Sequence, residues 1–414
     1  MTEPFSPLPA SPEAAIPAQT PSPIRGVWSL RLGFAGGVGL ALLGSLVGSL
    51  YIALNVGELE FESEKTFTTT FGFAIIYLGL GLGIPLAVTA RRGLRRRPSP
   101  PFALPIWIIA GVIILAWLIG QTVLLFDLAP TALFPPLHAL SATFPPLFLV
   151  GSVALALRSN ADYVTQRQAI AGIAFGAIIV VSIALVLEIS GAAVLIAAGV
   201  LFVVRQPGGL ARLEAILEQA RTGALALDEI NPASLLQNPG VVLIAFIGIA
   251  IVVPLIEETA KGLLIPLFNR WYRLTPARGW SWGLMAGAGF AIAESLFNGA
   301  VDLNFWIIIA IMRAGTSVLH CTTAGLTGLG WAQSLHRRNF WPLVRNYGIA
   351  VATHAVWNGL AMTIVVASLR VAGSGPMAIG AVIVSALALT GLILVGLATL
   401  GVLVATTYYL RRQQ

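Results

Sequence analysis

Eleven apolar segments follow one another along this chain, at about 32–56, 69–90, 104–126, 144–157, 169–187, 191–204, 240–268, 282–300, 305–335, 346–369 and 377–409. A helix needs roughly 20 apolar residues to cross ~30 Å of hydrocarbon. The series therefore predicts an all-α, polytopic transmembrane helix bundle of about 10–11 spans. Composition leaves no other class: 57% of the 414 residues are apolar and 10% are charged, against about 25% charged in soluble domains. A soluble enzyme is excluded. The net charge of +7 comes from arginines in short loops, where positive charge sets membrane orientation, so no nucleic-acid partner is implied. A single Cys321 excludes an internal disulfide.

The loops divide by charge. Residues 57–68 carry Glu58, Glu60, Glu62 and Glu64 against Lys65, whereas 91–97 carry Arg91, Arg92, Arg95, Arg96 and Arg97. Further basic loops hold Arg270, Arg273 and Arg278, then Arg337, Arg338 and Arg345, then Arg411 and Arg412. The positive-inside rule puts these on the cytoplasmic face of the cell membrane, with both termini inside and 57–68 outside. One parity conflict follows. Two short spans in 169–204 and one in 240–268 make three crossings between basic loops that belong on the same side. Either 169–204 is not two spans, or 240–268, interrupted by Pro254 and Pro266, does not simply cross.

The chain divides into a proline-rich disordered tail (1–26) without signal-peptide features, an amino-terminal transmembrane region (27–204), an amphipathic connector (205–238), a transmembrane core carrying the polar residues (239–369) and a last transmembrane helix (370–414). In the connector Leu210, Leu213, Ile216 and Leu217 share one helical face, with Arg212, Glu214, Glu218 and Arg221 around the rest. That pattern suits a helix lying on the membrane surface.

The ionisable residues inside apolar segments bear on function. Glu257, Glu258 and Lys261 lie in one, Glu294 in the next, His320 in the third and His354 in the fourth. Each buried charge costs on the order of 2.5–3.5 kcal/mol on insertion scales, so such a set persists when its members pair, bind metal or line a cavity. Glu257 and Lys261 are four apart, as are Glu294 and Asn298, and His354 and Asn358. Each pair projects from one stripe of its helix, and a common interior site follows. Adjacent carboxylates in a low dielectric resist double ionisation, which suits one of them to act as a general base for water. Histidine and asparagine can ligate metal or stabilise an oxyanion. All four aspartates (Asp127, Asp162, Asp228 and Asp302) fall in loops or tails, which excludes a paired-aspartate protease. There is no H-E-x-x-H zinc helix. Gly279-Trp280-Ser281-Trp282-Gly283 fits G-x-S-x-G by letter but lacks the strand–turn–helix setting. Glu188 reads as a boundary residue at the end of its run, and His138 and His336 as solvated loop residues.

These strings resemble the motifs of the PrsW family of intramembrane proteases. Glu257-Glu258-Thr259-Ala260-Lys261 looks like its E-E-x-x-K motif, and Phe290 to Glu294 its F-x-x-x-E. Arg313, His320 and Thr323 look like its third motif, and His354 to Asn358 its H-x-x-W-N. Ser295 and Asn298 depart from the family's usual Asn and aromatic residue. The resemblance covers about 240–365. It implies an endopeptidase acting on membrane-protein substrates such as anti-sigma factors, with the lipid bilayer as its other partner. It leaves two mechanisms open. In one, Zn²⁺ is held by Glu258, Glu294, His320 and His354, with Glu257 as base. In the other, Glu257 or Glu258 activates water directly, with His354 and Asn358 holding the oxyanion. Lys261 and Arg313 support the carboxylates in both. The related CAAX prenyl protease superfamily shares the paired glutamates and closing His–Asn, but usually has Arg where this chain has Lys261 and His where it has Glu294. A proton-coupled transporter would also bury such residues, yet it typically shows two related halves, and here the ionisable residues are confined to 257–354, the amino half having none at depth beyond Glu188.

Overall fold

The computed structural model describes residues 23–158, 163–205, 207–211, 214, 218, 221, 239–263, 265, 266, 269, 273–300, 302–371 and 376–413. Most of the tail at 1–26, most of the connector at 205–238, Arg270, Asp162 and Asp228 lie outside them. The described residues form twelve α-helices: α1 (Pro23–Asn55), α2 (Glu62–Leu94), α3 (Ile106–Leu125), α4 (Pro130–Ala156), α5 (Gln166–Ala174), α6 (Val181–Val204), α7 (Pro239–Ile247), α8 (Val253–Gly262), α9 (Pro276–Asn298), α10 (Trp306–Arg337), α11 (Trp341–Val371) and α12 (Pro376–Arg412). Among these residues, extended pairing is limited to an isolated Pro101–Thr165 bridge.

Nine of the described helical stretches are long and apolar enough to cross a membrane. The count falls below the expected 10–11 for two reasons. First, 169–187 and 191–204 are not separate. The π-helical stretch Phe175–Val180 joins α5 to α6, and Gln166–Leu201 is one span. The polar string Glu188-Ile189-Ser190-Gly191 reads as a break but stays helical; the Ser190 hydroxyl bonds back to the Val186 carbonyl and Gly191 packs against Val252 and Ile256. That leaves two candidate spans, rather than three, between the basic loops on either side. Second, α9 has the length to cross but is not among the nine.

The sequence also started α4 too late, at 144, whereas the helix begins at Pro130. Pro135, Pro136, Pro145 and Pro146 lie inside that helix. Each removes a backbone donor, but neighbouring helices cover the affected turns. His138, expected in a loop, is buried in α4. Its Nδ1 accepts from Trp306 Nε1 at 3.1 Å, and its Nε2 meets the Leu296 carbonyl at 3.1 Å. The ring ties the end of α9 to the start of α10. His336, in contrast, is exposed at the end of α10.

Helix α9 is the core of the molecule, buried at every position from Gly279 to Ala293. Glycines let its neighbours touch its backbone. A Cβ at Gly283 would lie 2.1 Å from the Ala324 carbonyl oxygen, and one at Gly287 would lie 2.2 Å from that of His320. On the opposite side, Gly289 meets the Ile173 carbonyl and Gly176 that of Ala286, each at 2.0 Å from an added Cβ. Gly279, Gly283 and Gly287, spaced four apart, thus fix the register of α9 against α10. That register decides where Glu294 and His320 meet.

Candidate functional site

The amino end of α8 is shaped by a backbone defect. The π-helical turn Gly248–Val252 runs into Pro254, whose missing N–H would have served the carbonyl five residues back, that of Ile249. Asn358 Nδ2 donates to that oxygen instead, at 3.1 Å. Asn358 therefore faces the irregular turn of the neighbouring helix.

One turn further along α8 stand Glu257, Glu258 and Lys261, all buried. Their spacing puts them on one face. Lys261 Nζ lies 3.0 Å from Glu257 Oε2 and 2.9 Å from Glu258 Oε1. It also donates to His320 Nδ1 at 2.8 Å and sits 4.2 Å above the Phe290 ring, an arrangement attractive to a cation. An ammonium has only donors, so His320 Nδ1 must be the acceptor and Nε2 must carry the hydrogen. Nε2 accordingly donates to Glu294 Oε2 at 2.7 Å. The other Glu294 oxygen pairs with Arg313 at 3.0 Å, and Arg313 also donates to the Glu294 backbone carbonyl.

From α11, His354 Nδ1 contacts Glu258 Oε1 at 2.9 Å, and its Nε2 faces Glu257 Oε2 at 3.8 Å. The rings of His320 and His354 meet edge to face, 5.0 Å between centroids. One turn on from His354, Trp357 packs in a core cluster with Leu319 and Leu392 and covers Gly315, anchoring α11 to α10.

Glu257, Glu258, His320 and His354 offer ligand atoms that all lie within 4.8 Å of one another. They come from three separate helices and are buried. Glu294 stands behind His320 and outside this group. The four residues fit a metal ion in donor chemistry, since zinc takes imidazole nitrogen and carboxylate oxygen. An orphan atom points the same way: Glu258 Oε2 is buried with no hydrogen-bond partner, a costly state for a carboxylate oxygen. Glu294 behind His320 is the carboxylate–histidine pairing that orients metal-ligating imidazoles.

One acidic residue was missed. Glu188, read as a boundary, lies within continuous helix and interacts electrostatically with Glu257, Glu294, Lys261 and His354. On its face of α6, Ala184 packs one turn before it with Ala260 and Phe290, and Gly191 lies against Val252 and Ile256 one turn after. Glu188 is only partly buried. The signal that would have found it is the apolar run continuing past Gly191.

Fold and site together define a polytopic membrane protein whose buried centre of glutamates, histidines and one lysine is equipped to activate water. The model of the PrsW family of intramembrane metalloproteases matches residues 165–392, more than half of the chain. The protein belongs to that family, and so to the membrane-embedded peptidases. No curated protein and no solved structure matches the chain.

Proposed function

We propose that this protein is an endopeptidase that hydrolyses peptide bonds of membrane-protein substrates at the centre formed by Glu257, Glu258, His320 and His354. The observation that carries the reading is the convergence of these four side chains, within 4.8 Å, from three helices. Glu258, His320 and His354 would hold Zn²⁺, leaving a fourth position open as catalytic zinc sites do. When bound, the ion supplies Lewis acidity toward a carbonyl and acidifies water.

The chain's own groups divide the remaining work. Glu257 takes a proton from the attacking water and delivers it to the leaving amine. Its side chain is 7% exposed, whereas that of Glu258 is fully enclosed, so Glu257 is the more accessible of the two carboxylates. Glu294 orients His320 through Nε2, and Arg313 fixes Glu294. Lys261 keeps Glu257 and Glu258 together against their mutual repulsion. Asn358 serves the π-helical turn under α8, and we assign it to positioning rather than to the oxyanion. A second reading, in which Glu257 activates water with no metal, is favoured by the Lys261 ammonium, which already bridges three of the four groups.

Topology supports one orientation. If α9 crosses along with the nine apolar spans, the loops bearing Arg91–Arg97, Arg158, Arg273, Arg337 and Arg338, and the Arg411–Arg412 end, all fall on one side. By the positive-inside rule that side is the cytoplasm.

Metal analysis by mass spectrometry on detergent-purified protein tests the assignment. One zinc per chain, lost in His320→Ala and His354→Ala, is expected. A folded wild type without metal would overturn the zinc assignment in favour of the second reading. Unchanged membrane-proteome fragments in cells carrying Glu257→Gln or Glu258→Gln would overturn the protease itself.

A further inference from the structure

Away from the buried centre, α2, α4, α5 and the loop 100–104 enclose an apolar cavity of about 530 Å³. It falls within the range of small-molecule sites, ~300–1,000 Å³. Most of its wall comes from residues before 165, outside the family match. The cavity arises from irregular helix surfaces: Gly81 and Pro85 of α2 both line it, and Pro85 leaves the Gly81 carbonyl without its helical donor. Tyr77, Thr143 and Gln166 are the polar groups in an otherwise apolar lining.

One end of the cavity is walled by the loop that follows a dense run of arginines. Pro100 lines the wall three residues from Arg97, and the loop is built rather than loose. Gln166 N donates to the Pro100 carbonyl at 2.8 Å, Phe102 N to that of Val164 at 2.9 Å, and Arg167 N to Ser99 Oγ at 3.0 Å. Arg91, Arg92, Arg95, Arg96 and Arg97 are all exposed. No acidic residue occurs between 66 and 126, and among the described residues none of these five arginines forms an ion pair. An apolar slot beside a cluster of unpaired arginines at the end of transmembrane helices has the chemistry of a lipid tail site next to a phosphate site.

We propose that this cavity binds an anionic phospholipid, with an acyl chain between α2, α4 and α5 and the phosphate on the Arg95–Arg97 loop. The bound chain would lie against Ile173 and Ile292. Ile292 is two residues before Glu294, so the lipid braces the back of the helix that presents that carboxylate. The lipid site does not depend on the protease reading.

The test uses the full chain in neutral detergent, equilibrated with equal amounts of phosphatidylglycerol and phosphatidylcholine, and reads retained lipid by native mass spectrometry. Wild type is expected to retain phosphatidylglycerol about tenfold over phosphatidylcholine, since both carry a phosphate but only phosphatidylcholine carries a choline cation that offsets its attraction to the arginines. Glycerol phosphate, which lacks tails, should not displace it. Arg95→Gln/Arg96→Gln/Arg97→Gln leaves Arg91 and Arg92 to hold orientation and should abolish the preference. Gly81→Leu has room to enter the cavity, because a Cβ there meets only Tyr77, at 4.0 Å, and it should lower retention of both lipids. Equal retention of both lipids by wild type would overturn the proposal. So would loss of preference in the arginine variant with full retention in Gly81→Leu, because the lipid would then be held at the surface alone.

Discussion

Replacing Lys261 by Met is the sharpest probe of the buried centre. The side chains are similar in length, so the change removes a charge with little change in volume. In the native protein the ammonium holds Glu257 and Glu258 at 3.0 and 2.9 Å and His320 at 2.8 Å, with no solvent around it. Removing one partner of a buried ion pair costs about 3–5 kcal/mol, because the remaining charge is left uncompensated. Here two carboxylates lose the same partner, so the upper end applies. At about 2 °C per kcal/mol for a large folding unit, the midpoint of thermal unfolding should fall by roughly 10 °C in chelator-treated protein. Zinc should then act unequally. A divalent cation among Glu258, His320 and His354 restores the missing positive charge, and at a hundredfold excess over its dissociation constant it contributes about 2.7 kcal/mol. Differential scanning fluorimetry in detergent, with chelator and with zinc, reads both quantities. The variant should recover more with zinc than wild type gains. Chelator-treated Lys261→Met unfolding at the wild-type midpoint would refute the reasoning, since it would mean that the two carboxylates do not need their counter-ion.

Gly287→Ala should destabilise by about 1–3 kcal/mol or more, because its Cβ would lie 2.2 Å from the His320 carbonyl, whereas Gly36→Ala, with nothing within 4 Å of an added Cβ, should be neutral; unfolding midpoints of the pair decide it. Asn358→Leu should cost about 0.6–2 kcal/mol through the unserved Ile249 carbonyl while leaving zinc content at the wild-type level, and loss of metal would mean that Asn358 reaches the centre. Glu188→Gln should lower turnover of a membrane substrate by about tenfold, the effect of ~1.4 kcal/mol in the barrier, again without metal loss. Unchanged turnover would return Glu188 to a spectator role.

The polar residues of the centre were legible because a charge inside an apolar run has few explanations, and four runs in succession carried one. The partition of roles was not. Sequence could not tell whether Glu257 or Glu294 stands beside Glu258, since that depends on how α9 seats against α10, and the deciding contacts are glycine Cα atoms against carbonyl oxygens. By the resemblance, Asn358 reads as a candidate oxyanion donor. Its partner is a carbonyl exposed by a proline more than a hundred residues earlier in the chain. The predicted run at 144–157 left out the first half of α4, which contains Pro135 and Pro136. Local preference gave way to the surrounding helices, and His138 was misplaced with it. Glu188 and Gly191 suggested a boundary for a similar reason: a polar residue in a membrane helix reads as an end unless the groups it faces are known.

The weak apolarity of α9 bears on how the protein is made. A nascent segment partitions into lipid on its own hydrophobicity. Helix α9 is not among the nine stretches apolar enough to do so, and in the finished molecule it is wrapped by protein from Gly279 to Ala293. It therefore depends on α10, emerging next from the ribosome, to draw it across the bilayer. Chains cut between Asn298 and Trp306 should leave α9 untranslocated and exposed to cytoplasmic proteases. The four side chains of the centre would then come together only once α11 is made, since His354 is the last of them in the chain.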